Sequence, residues 1–359
     1  MKSEMFFTKD ISRDPPPTYE GNKKVVFVRG IKDKDELYNY LCEQNKMISG
    51  NYTLLPQQEI SRFLRLGAYS VLMRSSNNNS LIGCIISLPL PIRCSVVAGL
   101  IDNELYTKNK IINHGCTSFL NIHSKLRGHG LCIGLIRELT KHGHENSIYC
   151  GYSLTSFPLS VNSFEVSSWY RPLDLARSIG LGFPVPHWNE VSKINSIRMN
   201  YKTNMPKKYL CKKVKNAKKA LDFYKTINED KKFVFMPDIN LFEKWIQEYA
   251  TFLVSYEKEI VGIFSIGTVI CRMESGIEGK LCLPLFFNSK SEHASKVFKC
   301  CIFEAGEKDY DVIYTHSFGD LTKKVLEDNF ALETPKKSFF TLYNNKLSLT
   351  PEDLYVPLF

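Results

Sequence analysis

The residue types and spacing most able to do chemistry in this chain lie at residues 118–134, SFLNIHSKLRGHGLCIG. Apolar residues as far as Ile122 read as the end of a strand, the polar stretch with Arg127, Gly128 and Gly130 reads as a turn, and the run from Leu131 opens a helix. Free backbone N–H groups and the positive end of the helix dipole converge at such a junction, which suits an anion. Glycines let the backbone come close to a diphosphate, and Lys125 and Arg127 add full positive charge. A glycine turn before a helix is also ordinary punctuation, so the pattern alone leaves a purely structural reading open.

The elements that must position this turn have clear periodicities. Residues 69–73, a turn at 77–80 and residues 81–88 read as a hairpin, followed by a third strand at 117–122. Between 130 and 144 the apolar positions Leu131, Leu135, Ile136 and Leu139 recur at helical spacing, with Arg137, Glu138 and Lys141 on the other side. A strand at 147–154 completes a β, β, β, α, β unit. The second half repeats the theme: a helix at 242–249, a hairpin at 251–256 and 260–268, a strand at 281–287, a helix at 294–306 and a strand at 312–316. The expected fold class is α+β, one mixed sheet flanked by helices, made twice. The lysine-rich stretch 207–219, after Pro206, is read as the start of the second half, giving halves 1–205 and 206–359. With Tyr209 as its one aromatic residue, that stretch reads as a solvated face and not as a nucleic-acid surface.

Composition sets the outer limits. With 359 residues, 43% of them apolar and 23% charged, the chain matches ordinary folded proteins and not collagen, coiled coil or disordered tails. The longest nearly uncharged apolar run, 81–92, is broken by Pro89 and Pro91 and falls short of the roughly 20 residues of a membrane span. The first residues, MKSEMFFTKD, lack the continuous apolar core of a signal peptide, so a cytoplasmic location is expected. Eleven cysteines without a CxxC pair, and eight histidines without HExxH, signal neither a disulfide framework nor a metal site. A net charge of +10 favours a polyanionic or phosphate-bearing partner.

The turn also carries a resemblance. Arg127, Gly130 and Cys132 come close to the RxxGx(G/A) spacing by which acetyltransferase-type folds hold the pyrophosphate of coenzyme A. The run SFLNIHSKLRGHGLCIGLIRELTKHGH resembles the NFLCVHKKLR segment, and the LIREIT helix after it, of the glycylpeptide N-myristoyltransferases. Glu36, Leu37 and Tyr38, the 83–92 strand with its two prolines, Trp169 with Arg171 and Leu173, Glu243 with Trp245, and Leu342, Tyr343 and Asn344 fall in that family's order, from about Phe6 to Phe359.

The resemblance implies two tandem acetyltransferase-like (GNAT) halves, the first binding the acyl donor and the second the peptide. It implies transfer of a tetradecanoyl group from myristoyl-CoA, a co-substrate, to the amino-terminal glycine of a protein by direct attack, with no metal and no permanently bound cofactor. The backbone amides of Phe119 and Leu120 would form the oxyanion hole. Lys125, Arg127, Gly128, His129 and Gly130, with Leu131 and Cys132 at the helix start, would bind coenzyme A, and Phe6 and Phe7 would fold over it. The terminal carboxylate at Phe359 would act as general base. Ser153 would help hold the glycine amine, and Glu333 the substrate peptide.

Two departures stand out. Where the family carries an acidic run this chain has Met47, Ile48, Ser49, Gly50 and Asn51, and where the family has FGxGDG it has residues 330–335, FALETP. Peptide selection is therefore expected to differ. A non-enzymatic protein binding acyl-CoA or acyl-peptide is the alternative, and an acetyltransferase acting on another amine a third. A covalent route through Cys116, Cys132 or Cys150 lacks a histidine-plus-carboxylate arrangement. The expected partners are myristoyl-CoA and glycine-initiated proteins, not nucleic acid, for a monomer without a membrane span.

Overall fold

The computed structural model describes residues 25–48, 52–54, 56–94, 100–101, 104–105, 110–158, 162–343 and 347–359. In chain order the elements are β1 (Val25–Arg29), α1 (Lys34–Ile48), β2 (Tyr52–Leu54), α2 (Gln57–Arg65), β3 (Tyr69–Ser75), β4 (Leu81–Cys94), β5 (Leu100–Ile101), β6 (Glu104–Leu105), β7 (Lys110–Ile122), α3 (Leu131–Glu145) and β8 (Cys150–Thr155). There follow β9 (Asn162–Pro172), α4 (Leu175–Gly180), α5 (Ile194–Asn200), β10 (Tyr209–Lys213), α6 (Ala217–Ile227), β11 (Phe233–Phe235), α7 (Ile239–Glu248) and β12 (Ala250–Tyr256). The chain ends with β13 (Glu259–Arg272), β14 (Glu278–Ser289), α8 (Ala294–Gly306), β15 (Val312–His316), α9 (Lys323–Glu327), β16 (Leu332–Tyr343) and β17 (Leu354–Tyr355). The described residues fall into two units: those within 25–48, 56–164 and 339–348 contribute to the first, and those within 52–54, 165–338 and 349–359 to the second.

In the first unit the strand order is β1, β3, β4, β7, β8 and then the last part of β16. Neighbours run antiparallel except β7 and β8, which are parallel and joined through α3. Helix α3 lies on the sheet because Leu131, Leu135 and Leu139, four residues apart, form one apolar stripe, buried against Val71, Met73, Ile82, Ile85 and Ile122. Each such side chain contributes about 1.5–3 kcal/mol by leaving water. The expected helix and hairpin are present, with β4 running further than the sequence suggests. It continues through Pro89 and Pro91, which lie beyond Ser87, the last residue of β4 paired with β3.

The second unit has the order β9, β15, β14, β13, β12, β10, with β2 beside β13 and β17 parallel to β11. Here β14 and β15 are the parallel pair, and α8 connects them. The succession β12, β13, β14, α8, β15 therefore repeats β3, β4, β7, α3, β8, so the duplication read from the sequence is visible as a repeated pairing order. Its core is rich in aromatic side chains, with Trp245, Phe264, Phe286, Phe287 and Phe298 fully buried. The lysine-rich stretch lies inside this unit, on β10 and the first turn of α6.

Candidate functional site

Strands β7 and β8 part company in the middle of the first unit. Their pairing stops at Thr117 and Ser153, although β7 runs on to Ile122 and β8 to Thr155. Just there β7 carries a bulge. Cys84 of β4 faces Asn121 and Ile86 faces Ser118, so Phe119 and Leu120 stand where β4 has a single residue, and neither has a partner in the register. A bulge leaves its extra residue outside the regular ladder, and a backbone N–H at such a place can turn to another acceptor. Phe119 adopts φ +59°, a left-handed conformation that a bulky residue avoids without outside support. The support comes from an edge-on contact with the Phe63 ring, 5.7 Å between centroids, and from the Cys84 thiol, which donates to the Phe119 carbonyl at 3.3 Å.

After Ile122 the turn is tied down by its own backbone and by α1. His123 N–H donates to the Ile82 carbonyl at 2.9 Å, Ser124 N–H to Gln44 Oε1 at 2.8 Å, and Arg127 Nε to the Ile122 carbonyl at 3.1 Å. His123 accepts from Lys125 N–H through Nδ1 at 3.3 Å, a structural capping role. Lys125, Arg127, Gly128, His129 and Gly130 are all exposed. Gly128 and Gly130 have φ +81° and +72°, with open space where a side chain would stand. Gly130 is the N-cap of α3 and offers no side-chain acceptor, so the first amides of a 15-residue helix face outward beside two cations. The residues named from sequence as the anion turn are thus together on one surface, except that Leu131 is core and Cys132 turns towards the neighbouring cavity.

That cavity, of about 480 Å³, lies in the opening between β7 and β8, within the range of small-molecule sites. Tyr69, Ile85 and residues 117–121 line one side, Cys132, Ile136, Leu139 and Thr140 of α3 another, and Ser153, Phe157 and Tyr343 a third. The lining is mainly apolar. Ser153 is buried, its hydroxyl 3.2 Å from that of Tyr343, and burial raises the Tyr343 phenol above its ordinary range. Burial also pushes the Cys116 and Cys150 thiols up to about 12 and raises Cys132, so all three are held as thiols and are poor nucleophiles.

Glycines shape the same region. A Cβ on Gly151 would stand 2.9 Å from the Gly115 carbonyl oxygen, and one on Gly115 would stand 2.6 Å from Ser87 Oγ. Backbone cannot yield as a hydroxyl can. Gly151→Ala is therefore expected to cost about 1–3 kcal/mol, and Gly115→Ala less, read as a smaller shift of the urea midpoint. The reverse order would refute this account of the strand spacing.

Phe359 and Glu333 belong to the second unit. The tail leading to Phe359 is buried at Leu354, Val356 and Leu358, and Leu358 N–H donates to the Leu285 carbonyl at 3.2 Å. The Phe359 ring packs on Trp245 and Tyr249 at 6.2 and 6.1 Å. Glu333 is exposed and pairs with Lys323 at 3.8 Å. Phe6 and Phe7 lie outside the described residues. Among the described residues no group of three or more His, Cys, Asp or Glu side chains could hold a metal ion, and no helix is long and apolar enough to cross a membrane. Sequence reasoning missed Gly115, Gly151 and Phe157 as parts of the site, and it named Tyr343 without a role; the one available signal was glycine inside a strand.

No protein-family model and no curated protein matches the sequence. Solved structures do. The chain is similar to Saccharomyces cerevisiae N-myristoyltransferase with bound myristoyl-CoA, with a TM-score of 0.74 and 13% identity over 95% of this chain and 84% of that one. A second structure of that yeast protein, with myristoyl-CoA and inhibitors, gives 0.75 and 13% over 95% and 86%. A fungal GCN5-related glucosamine N-acetyltransferase region, within a multi-domain β-N-acetylglucosaminidase, gives 0.54 and 10% over 90% of this chain and 38% of that chain. The fold is the one these proteins share: α+β, built on mixed sheets flanked by helices.

Proposed function

We propose that this chain is an acyl-coenzyme A N-acyltransferase that moves a tetradecanoyl group from myristoyl-CoA to the amino-terminal glycine of a protein. The observation that carries the reading is the bulge at Phe119 and Leu120, placed between an apolar cavity and an exposed glycine turn with two cations. The apolar walls suit an acyl chain. The amides opening α3, with Lys125 and Arg127, suit the diphosphate, and His129 adds a further donor at the turn.

In this mechanism the amides of Phe119 and Leu120 bind the thioester oxygen as it gains negative charge, where fixed donors out of water act most strongly. The neutral glycine amine attacks the thioester carbon. A C–N bond forms, the C–S bond breaks, and coenzyme A leaves as its thiolate. The hydroxyls of Ser153 and Tyr343 hold the amine, and the carboxylate at Phe359 takes its proton. Residues 1–205 serve the acyl donor and 206–359 the peptide, in a cytoplasmic monomer whose peptide preference involves Glu333. A non-catalytic acyl-CoA binder is the second reading, favoured by the pairing of Glu333 with Lys323, which satisfies its charge within the chain.

Titration calorimetry with acetyl, octanoyl and myristoyl-CoA, followed by a panel of glycine-initiated peptides, separates these readings. Heat with long-chain donors and acyl transfer to peptide is expected; heat without transfer to any peptide identifies the binder, and no heat with any long-chain donor removes both. Lys125→Ala with Arg127→Ala should weaken donor binding by about tenfold or more, the scale of a lost charged hydrogen bond, while lowering stability by no more than about 1 kcal/mol, the loss of the single Arg127–Ile122 hydrogen bond.

A further inference from the structure

The structure assigns a second interaction surface, on the second unit: the junction of β10 and α6 is a docking face for anionic lipid headgroups. This stands independently of the transferase reading.

Residues 207–227 contain eight lysines and one acid, Asp222. Lys208 pairs with Glu257 at 2.7 Å. By contrast Lys212, Lys213, Lys215, Lys218 and Lys219, five cations within eight positions, are all exposed and have no ion-pair partner among the described residues. Strand β10 ends the strand order of its unit, so the lysines lie at a sheet edge. Lysines on an edge strand can serve simply to discourage edge pairing. That explanation does not reach α6. Lys218 and Lys219 occupy the first turn of this helix, which carries no acid, and there a cation opposes the helix dipole. The Asn216 side chain caps the same turn by accepting from Lys219 N–H at 2.9 Å, so the helix start is fixed with its positive end and added cations on one surface. An arrangement locally unfavourable to the fold, kept at an exposed place, fits an external anion.

The chemistry of the face selects the partner. It contains lysine and no arginine, so it offers point charges and not the planar forks that grip individual phosphates or bases. The strand offers no free aromatic ring on which a base could stack, since Tyr209 is engaged, its hydroxyl 2.7 Å from His293 Nδ1 and its ring 5.0 Å from that of Tyr256, and the one ring on the helix side, Phe223, is half-buried. What accompanies the lysines is Leu210, 51% exposed and two residues from Lys212 on the same side of the strand. Clustered lysines around an exposed aliphatic residue suit a negatively charged lipid surface, where charge attracts and a short apolar side chain reaches below the headgroups.

The test is co-sedimentation of the whole chain with phosphatidylcholine vesicles, with and without phosphatidylserine. Binding is expected only with phosphatidylserine, at low salt, and should vanish near 1 M salt, where the Debye length is about 3 Å. The variant Lys213→Gln/Lys215→Gln/Lys218→Gln/Lys219→Gln should bind at least about tenfold more weakly and melt no lower than the parent, whereas arginine at the same four positions should keep binding. Failure of the parent to bind these vesicles, equal binding by the glutamine variant, or tighter binding of single-stranded RNA than of vesicles would each overturn the proposal.

Discussion

A few residues appended after Phe359 are expected to lower kcat by about 10²–10⁴-fold, the range for loss of a general base, while the Kd for myristoyl-CoA stays unchanged. The chain up to that point is held by several independent features. β17 pairs in parallel with β11, the Tyr355 hydroxyl donates to Asp320 Oδ1 at 3.0 Å, and the Phe359 ring rests on Trp245 and Tyr249. An appended segment replaces the terminal carboxylate with a neutral amide at that anchored position. Phe359→Leu, which keeps the carboxylate and loses the ring contacts, should cost far less in kcat than the extension. Single-turnover rates with saturating donor make the comparison, and an extended chain that turns over at the parent rate would remove the carboxylate from the mechanism.

The second large effect is acid sensitivity. His114 in β7 and His316 in β15 are buried, and burial pushes each down to about 4, only partly offset at His114 by its hydrogen bond to the Ile112 carbonyl at 3.1 Å. Unfolded histidine titrates near 6.5. Between these values the unfolded chain binds the proton and the folded chain does not. Stability is therefore complete above about pH 6.5 and is lost as the pH falls towards 4, by about 3 kcal/mol for each histidine. Urea unfolding followed across that range should show the slope, and His114→Leu should remove its share; a flat profile in the parent would show that these rings accept protons while folded.

What the sequence disclosed was local. The helix of α3 announced itself through Leu131, Leu135 and Leu139, and the turn before it through Gly128 and Gly130, because period and turn chemistry act within a few residues. The strand after it could be read but its bulge could not: the positive φ falls on Phe119, where no glycine marks it, and is enforced by Phe63 from another element. The strand pattern ended at Leu88, whereas β4 runs on through Pro89 and Pro91, because a proline is tolerated where a strand has left one neighbour behind. Ser153 could be named by resemblance, but its hydroxyl partner Tyr343 stands 190 residues away. Pairings at that distance are decided by the whole sheet and leave no periodic trace in either strand.

The last part of β16 lies beside β8, Phe339 opposite Thr155 and Tyr343 opposite Gly151. A ribosome adding about 5–20 residues per second needs roughly 10–40 s to cover such an interval, and for that time the nascent first unit waits with its border strand missing. A chaperone with affinity for exposed strand edges would find its client during this wait. Cutting the gene between the halves would leave that border open permanently, so the amino-terminal half should be recovered in soluble form only when the late strand is supplied, in cis by circular permutation or in trans as a peptide.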